Sequence, residues 1–320
     1  MIAHVSPSKI AGSIQAPSSK SSMQRACAIA LVYGGVTIIT HAGKSNDEKA
    51  AQNIISTLGA TLDNKLNEIV VTSSSHIFTS PDKKKHSIIS CGESGLSLRM
   101  FVPIAALFNY DITFTGEGSI LTRPIEFFDT VLPLLGVRVE TNGGRLPITL
   151  RGPMKPANIT VDGSLSSQFL TGLLIAYAKA CTAPVSITVT NLASKPYIDL
   201  TLDMLQDFGY HIQNENYEKF TVLPRKPPGI MTVRYRVEGD WSNTAFLLVA
   251  GAIAGDVIVK GANMNSTQGD KKIIDALELA GAYVKVEREG IVVKKRELKA
   301  FDFDATHAPD LFPPLVALAS

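Results

Sequence analysis

Two kinds of helical pattern take turns along the chain. In the first, the stretches 26–32, 98–107, 169–178 and 244–254 are apolar on nearly every side, the pattern of helices buried around their whole circumference. In the second, Ile54, Ile55 and Leu58, then Phe127, Val131, Leu134 and Leu135, then Leu200, Met204, Leu205 and Phe208 recur at spacings of three and four. That spacing predicts amphipathic helices with one face on a core. Glycines close the segments at Gly59, Gly136, Gly209 and Gly281, and glycine is the residue that ends a helix in the left-handed conformation. A β-branched, strand-like run precedes each glycine: Thr37 to Thr40, Ile112 to Phe114, Ile187 to Val189 and Val257 to Val259. Two short strands are expected after each.

The closing glycines are 77, 73 and 72 residues apart, so the pattern is an internal repeat. It predicts an α/β (α+β) fold of repeated βαβαββ-type units around buried helices. Each apolar helix opens at small polar residues: Ser21-Ser22, Gly95-Leu96-Ser97, Ser166-Ser167 and Asp240-Trp241-Ser242. Serine capping accounts for any one such start. Four in register also aim several helix N-termini, with their free N–H groups and positive dipole ends, toward one place suited to anions. A fifth unit opens near Pro309-Asp310-Leu311, and its apolar helix, 312–319, stops at Ser320. The expectation from this break is a chain that is the N-terminal part of a longer protein.

Length then gives a prior of about two domains. With 45% hydrophobic and 19% charged residues the composition is ordinary for a globular protein and excludes disordered, collagen-like and coiled-coil classes. Thirty-one basic side chains against 29 acidic leave a formal charge of +2, too little for the long-range field of a general nucleic-acid or membrane-surface binder. The runs Lys83-Lys84-Lys85-His86 and Lys294-Lys295-Arg296 read as solvated faces. No apolar run is long enough to span a membrane and the N-terminus lacks a secretory pattern, so a cytoplasmic location is expected. Cys27, Cys91 and Cys181 are odd in number, widely spaced and mostly beside apolar residues, which suits reduced, buried thiols. The six histidines show no metal-ligand spacing, and neither a phosphate-binding P-loop nor a serine-hydrolase elbow occurs.

Seven segments, in order, carry a resemblance. They are Ala16-Pro17-Ser18-Ser19-Lys20-Ser21-Ser22-Met23-Gln24-Arg25, Gly92-Glu93-Ser94-Gly95-Leu96-Ser97-Leu98-Arg99, Leu121-Thr122-Arg123-Pro124-Ile125, and Asp162-Gly163-Ser164-Leu165-Ser166-Ser167-Gln168-Phe169. Ser194-Lys195-Pro196-Tyr197-Ile198, Glu238-Gly239-Asp240-Trp241-Ser242 and the stretch from Asp304 to Asp310 complete the set. They resemble the EPSP synthases of the enolpyruvyl transferase family over the whole chain. The resemblance implies 3-phosphoshikimate 1-carboxyvinyltransferase chemistry: the enolpyruvyl group of phosphoenolpyruvate passes to the 5-hydroxyl of shikimate 3-phosphate and phosphate leaves, without metal or organic cofactor. It implies a monomer that acts on small molecules, not on nucleic acid or membranes. It also implies two similar domains with the substrates between them, one formed by 1–18 plus 237–320 and incomplete, the other by 19–236 with three complete repeats. On that comparison about a hundred residues are absent and the fragment alone is inactive.

Residue roles follow from the same resemblance. Lys20, in a serine-rich loop, contacts both substrates. Ser21 and Arg25 hold the shikimate carboxylate, which a guanidinium fork suits. Ser166, Ser167 and Ser194 bind the 3-phosphate, with Gln168 and Tyr197 beside the ring. Gly95, Arg123 and Gln168 join Lys20 around phosphoenolpyruvate, while Arg99 either serves the same anion or pairs with Glu93. Asp310 takes the proton of the 5-hydroxyl, so Asp310 and Lys20 are the catalytic candidates. Ser18, Leu96 and Thr306 depart from the family pattern. The alternative acceptor is UDP-N-acetylglucosamine, used by a sister enzyme with the same donor, and Ser166-Ser167-Gln168 with Ser194-Lys195-Pro196-Tyr197 favours the shikimate substrate. A noncatalytic or RNA-acting protein built of similar units lacks support, for want of a basic stripe with aromatics.

Overall fold

The computed structural model describes all residues except 1–3, 5, 7, 67, 80–85, 165 and 226–231. Leu165, the lysines at 83–85 and part of the proline-rich stretch 224–228 therefore lie outside the described residues. The chain forms two compact units: Lys20–Val237, and Met1–Ser19 with Glu238–Ser320. Each is built on its own hydrophobic core.

The chain opens with β1 (Ile10–Gln15), α1 (Lys20–Tyr33), β2 (Val36–Thr40), α2 (Asn46–Thr57), β3 (Thr61–Asn64) and β4 (Glu68–Thr72). A second repeat follows as β5 (His86–Ser90), α3 (Gly95–Ala105), β6 (Asp111–Thr115), α4 (Phe127–Val131), β7 (Arg138–Thr141) and β8 (Ile148–Arg151). The third is β9 (Ile159–Asp162), α5 (Ser167–Ala180), β10 (Val185–Thr190), α6 (Lys195–Asp207), β11 (Ile212–Glu215) and β12 (Lys219–Val222). Then come β13 (Thr232–Arg236), α7 (Trp241–Ala254), β14 (Gly255–Lys260), α8 (Ile273–Leu279), β15 (Tyr283–Glu287), β16 (Gly290–Lys294) and α9 (Phe312–Ala319).

Each repeat makes one four-stranded sheet, with the orders β13-β2-β4-β3, β5-β6-β8-β7, β11-β12-β10-β9 and β1-β14-β16-β15. In all four, one strand enters parallel to the strand that follows the buried helix, and two antiparallel strands complete the sheet. Two entering strands are exchanged along the chain. β1 precedes α1 in sequence yet pairs with β14, and β13 precedes α7 yet pairs with β2. The chain thus passes from one unit to the other at 19/20 and returns at 237/238.

The closing glycines have the left-handed backbone expected of them, with φ of 111° at Gly59, 76° at Gly136, 75° at Gly209 and 80° at Gly281. The apolar helices of the larger unit are buried as their pattern predicts: every residue of α1 from Ser22 to Tyr33 is buried, and α1, α3 and α5 pack on one another. Gly172 permits the closest approach, since a Cβ there would stand 2.5 Å from the Met100 carbonyl oxygen of α3. The smaller unit corrects the prediction. On α7, Phe246 and Ile253 are exposed, and on α9, Phe312 and Val316 are exposed while only Pro314 and Leu318 are buried. Both helices are apolar all round, but only one side of each meets the core of its unit. Two of the amphipathic helices are also shorter than the spacing suggests. α4 passes into a 3₁₀ turn at Leu132–Leu135, where Pro133 lacks the N–H a regular helix needs, and α8 begins after a 3₁₀ turn at Gly269–Lys272.

Cys27 and Cys91 are buried, Cys181 is partly buried, and all three are free thiols. Burial pushes the Cys27 thiol up to about 12 and the Cys91 thiol higher still, which makes both inert. Among the described residues no cluster of three His, Cys, Asp or Glu is placed to hold a metal ion, and no helix is long and apolar enough to cross a membrane.

Candidate functional site

The larger unit gathers the starts of α1, α3, α5 and α6 into one polar network set on an apolar core. Gln24, fully buried on α1, accepts hydrogen bonds through Oε1 from the hydroxyls of Ser94 (2.9 Å) and Ser97 (2.8 Å) at the start of α3. Ser94 caps that helix by accepting from the Ser97 N–H at 3.1 Å. One turn further along α3, Arg99 donates from Nη1 to Gln168 Oε1 on α5 at 3.3 Å. These bonds link the N-terminal turns of the three buried helices directly. Ser166 caps α5 by accepting from the Gln168 N–H at 3.1 Å.

Arg25 links α1 to α6. Its Nε donates to Thr201 Oγ1 at 2.9 Å, Nη1 to the Ser21 carbonyl at 3.0 Å and Nη2 to the Tyr197 carbonyl at 3.3 Å. Thr201 gives its own proton to the Tyr197 carbonyl at 2.8 Å, so the hydroxyl of Thr171, 3.0 Å away on α5, must be the donor of that pair. Arg25 is only 1% exposed, and burial pulls its guanidinium down to about 10. Three of its five N–H groups serve protein acceptors, which leaves one on each terminal nitrogen. The residue is first a positioning group for the start of α6, and it faces any ligand only through that remaining fork.

A second focus forms at Gly95, the first residue of α3. A Cβ there would stand 2.9 Å from Nη1 of both Arg123 and Arg99, so two guanidinium groups close over a backbone that only glycine leaves open. The first turn of a helix also leaves N–H groups without intrahelical partners. Arg123 is exposed and extended (φ −76°, ψ 136°), as a residue before proline prefers. It ends a 3₁₀ turn at Gly118–Thr122, and α4 begins only at Phe127. Arg99 is half-buried and meets Gln168; of its two alternatives, the pairing with Glu93 is not the one formed. Burial and then the neighbouring Arg123 lower its pKa, and its Nε has no hydrogen-bond partner. Two like charges held this close favour an anion between them.

Lys20 is the first residue of α1, not part of a loop before it, and its ammonium lies 2.9 Å from Asp47 in the first turn of α2. Ser194 differs from the other serines. It precedes α6 with left-handed backbone (φ 54°) and makes no capping hydrogen bond, so its hydroxyl is not spent on the helix. Ser21, Ser194, Gln168 and Tyr197 are partly exposed, whereas Ser167 is buried. Lys20, Ser21, Arg25, Gly95, Arg123, Ser166, Ser167, Gln168, Ser194 and Tyr197 all belong to the larger unit. Asp310 belongs to the smaller one, in an exposed 3₁₀ turn at Pro309–Leu311 before α9, where it makes no capping hydrogen bond.

Sequence reasoning missed Gln24, Ser94, Ser97, Thr171 and Thr201. Their signal was a polar residue at a buried position of an otherwise apolar helix face.

Comparison with known proteins identifies the family. The EPSP synthase (3-phosphoshikimate 1-carboxyvinyltransferase) family model matches residues 5–320. A 3-phosphoshikimate 1-carboxyvinyltransferase of Clostridium novyi (strain NT) is 36% identical over 319 residues, covering 98% of this chain and 73% of that protein. The solved EPSP synthase from Acinetobacter baumannii superposes with a TM-score of 0.78 at 25% identity, over 98% of this chain and 72% of its own. The enolpyruvyl transferase NikO from Streptomyces tendae shares the fold, with a TM-score of 0.71 at 16% identity over 97% of this chain and 73% of its own. The whole-chain family match, the sequence identity and the helix starts gathered around Gly95 and Arg25 together show that the chain belongs to the EPSP synthase family.

Proposed function

We propose that the complete protein transfers the enolpyruvyl group of phosphoenolpyruvate to the 5-hydroxyl of shikimate 3-phosphate, giving 5-enolpyruvylshikimate 3-phosphate and phosphate on the route to chorismate and the aromatic amino acids. One observation carries the reading: Arg99, bonded to Gln168 of α5, and Arg123 close over the bare backbone of Gly95 at the start of α3, a cradle for a small, multiply charged anion.

In this reading Lys20, Gly95, Arg123 and Gln168 hold phosphoenolpyruvate, and Arg99 completes the same cradle. Ser166, Ser167 and Ser194 receive the 3-phosphate, with Gln168 and Tyr197 beside the ring. Ser21 and the open fork of Arg25 take the shikimate carboxylate. The reaction needs a base for the attacking hydroxyl and an acid for the methylene carbon. Asp310 accepts the hydroxyl proton while Lys20 stabilises the charge on the donor. The hydroxyl oxygen bonds to C2 of phosphoenolpyruvate as C3 gains a proton. The C2–O bond to phosphate then breaks as C3 returns a proton, which restores the double bond.

A phosphate-release assay with the complete protein tests the assignment. Phosphate is expected from phosphoenolpyruvate only when shikimate 3-phosphate is present. Release with UDP-N-acetylglucosamine and none with shikimate 3-phosphate would move the chain to the sister activity.

A further inference from the structure

One cleft of the larger unit contains none of the residues assigned to substrates above. Its volume is about 790 Å³, within the usual range for a small-molecule site. It lies at the end of the sheet β13-β2-β4-β3 where the loops after β2 and β3 meet α2, and strand register explains its chemistry. Arg236 pairs with Thr40, which pairs in turn with Glu68, so the three form one row across the sheet. Arg234 stands two residues back on the same face of β13. The loop after β2 adds Lys44, α2 adds Lys49, and the β3–β4 connection adds Lys65. His41, with left-handed backbone at φ 56°, donates from Nδ1 to the Val237 carbonyl at 2.7 Å and so fixes the loop that carries Lys44 beside the end of β13.

Five Lys and Arg side chains thus face the cleft against one carboxylate, in a chain whose formal charge is only +2. Glu68 is already shared, 3.3 Å from Arg234 Nη1 and 3.7 Å from Lys65 Nζ. Among the described residues Lys44, Lys49 and Arg236 enter no ion pair. Cations grouped without counter-charge repel one another, and an anion bound among them removes that cost. Gln52 and Asn64 add neutral hydrogen-bonding groups to the wall. We infer that this cleft is a second anion site, separate from the substrate cradle, which takes a phosphate-bearing metabolite of nucleotide or sugar-phosphate size with at least two negative charges. Asp47, the partner of Lys20, lies in sequence between Lys44 and Lys49, so the second site shares the first turn of α2 with the group that holds Lys20.

The test is calorimetric titration of inorganic pyrophosphate and of ADP into the whole chain at physiological salt. Comparison is made with a Lys49→Ala/Arg236→Ala double variant, a charge-keeping Lys49→Arg/Arg236→Lys variant, and Arg123→Ala. Binding is expected to weaken at least tenfold in the first variant and to be kept in the other two, while the double alanine variant retains wild-type affinity for shikimate 3-phosphate. Equal binding by wild type and the double alanine variant would overturn the inference. So would loss in Arg123→Ala alone, which would place the anion in the substrate cradle. Binding of single-stranded RNA with neither small anion bound would mark a nucleic-acid surface and overturn it as well.

Discussion

Gly95 shows how one residue decides what the cradle can hold. A methyl group there meets the ends of two flexible side chains, Arg99 and Arg123, each at 2.9 Å, and no rigid backbone. Both guanidinium groups can swing aside, so the fold tolerates the change and the anion does not. Gly95→Ala is expected to raise the KM for phosphoenolpyruvate about tenfold or more, roughly the 1.4 kcal/mol of one impaired charged contact. The KM for shikimate 3-phosphate and the thermal midpoint should change little. Steady-state kinetics with each substrate varied, beside a thermal melt, check this; an equal rise in both KM values would count against the separate placement of the two anions. Arg25 behaves differently, since three of its donors already serve Thr201, Ser21 and Tyr197. Its removal leaves buried acceptors unpaired as well as any ligand, so stability and binding would fall together.

At the scale of elements, the helices and their ends were legible in the sequence because each is governed by local chemistry. A left-handed glycine closes Gly59, Gly136, Gly209 and Gly281 alike, and continuous apolarity marked α1, α3 and α5 as buried. The exchange of β1 and β13 was legible only through the family resemblance, which put 1–18 with 237–320; local chemistry does not show it, because each pairs with a strand more than a hundred and ninety residues away. Nor does local chemistry show the network that joins the helix starts. Gln24 looks like an isolated polar residue until α3 is placed beside it. The spacing of α3 and α5 rests on Gly172, whose missing side chain lets α5 meet the α3 backbone at Met100. Gly172→Ala gains slightly in helix propensity but must push rigid backbone away, at a net cost of about 1–3 kcal/mol of stability. Since the Arg99 backbone is part of this contact and Gln168 sits one turn from it, turnover should drop by more than the folded fraction does. Denaturant melts paired with activity at matched folded concentration measure both, and an unchanged specific activity would show that the cradle does not depend on this helix spacing.

For the molecule as a whole, chemistry and burial divide unevenly between the units. Every proposed contact to shikimate 3-phosphate except Asp310 comes from the larger unit, whose three central helices are buried around their circumference. The smaller unit leaves Phe246, Ile253, Phe312 and Val316 exposed on α7 and α9. A helix with one side in water opens more readily, so its amides exchange faster than those of α1, α3 and α5. Shikimate 3-phosphate should therefore slow hydrogen exchange in the first turns of α1, α5 and α6, where the first backbone N–H groups lack intrahelical partners. α7 and α9 should respond little, apart from the turn that carries Asp310. Exchange followed by mass spectrometry, with and without the ligand, reads each segment separately. Protection spread evenly over both units, or confined to α7 and α9, would place the acceptor's phosphate and carboxylate elsewhere than on the helix starts that Arg25 and Gln24 join.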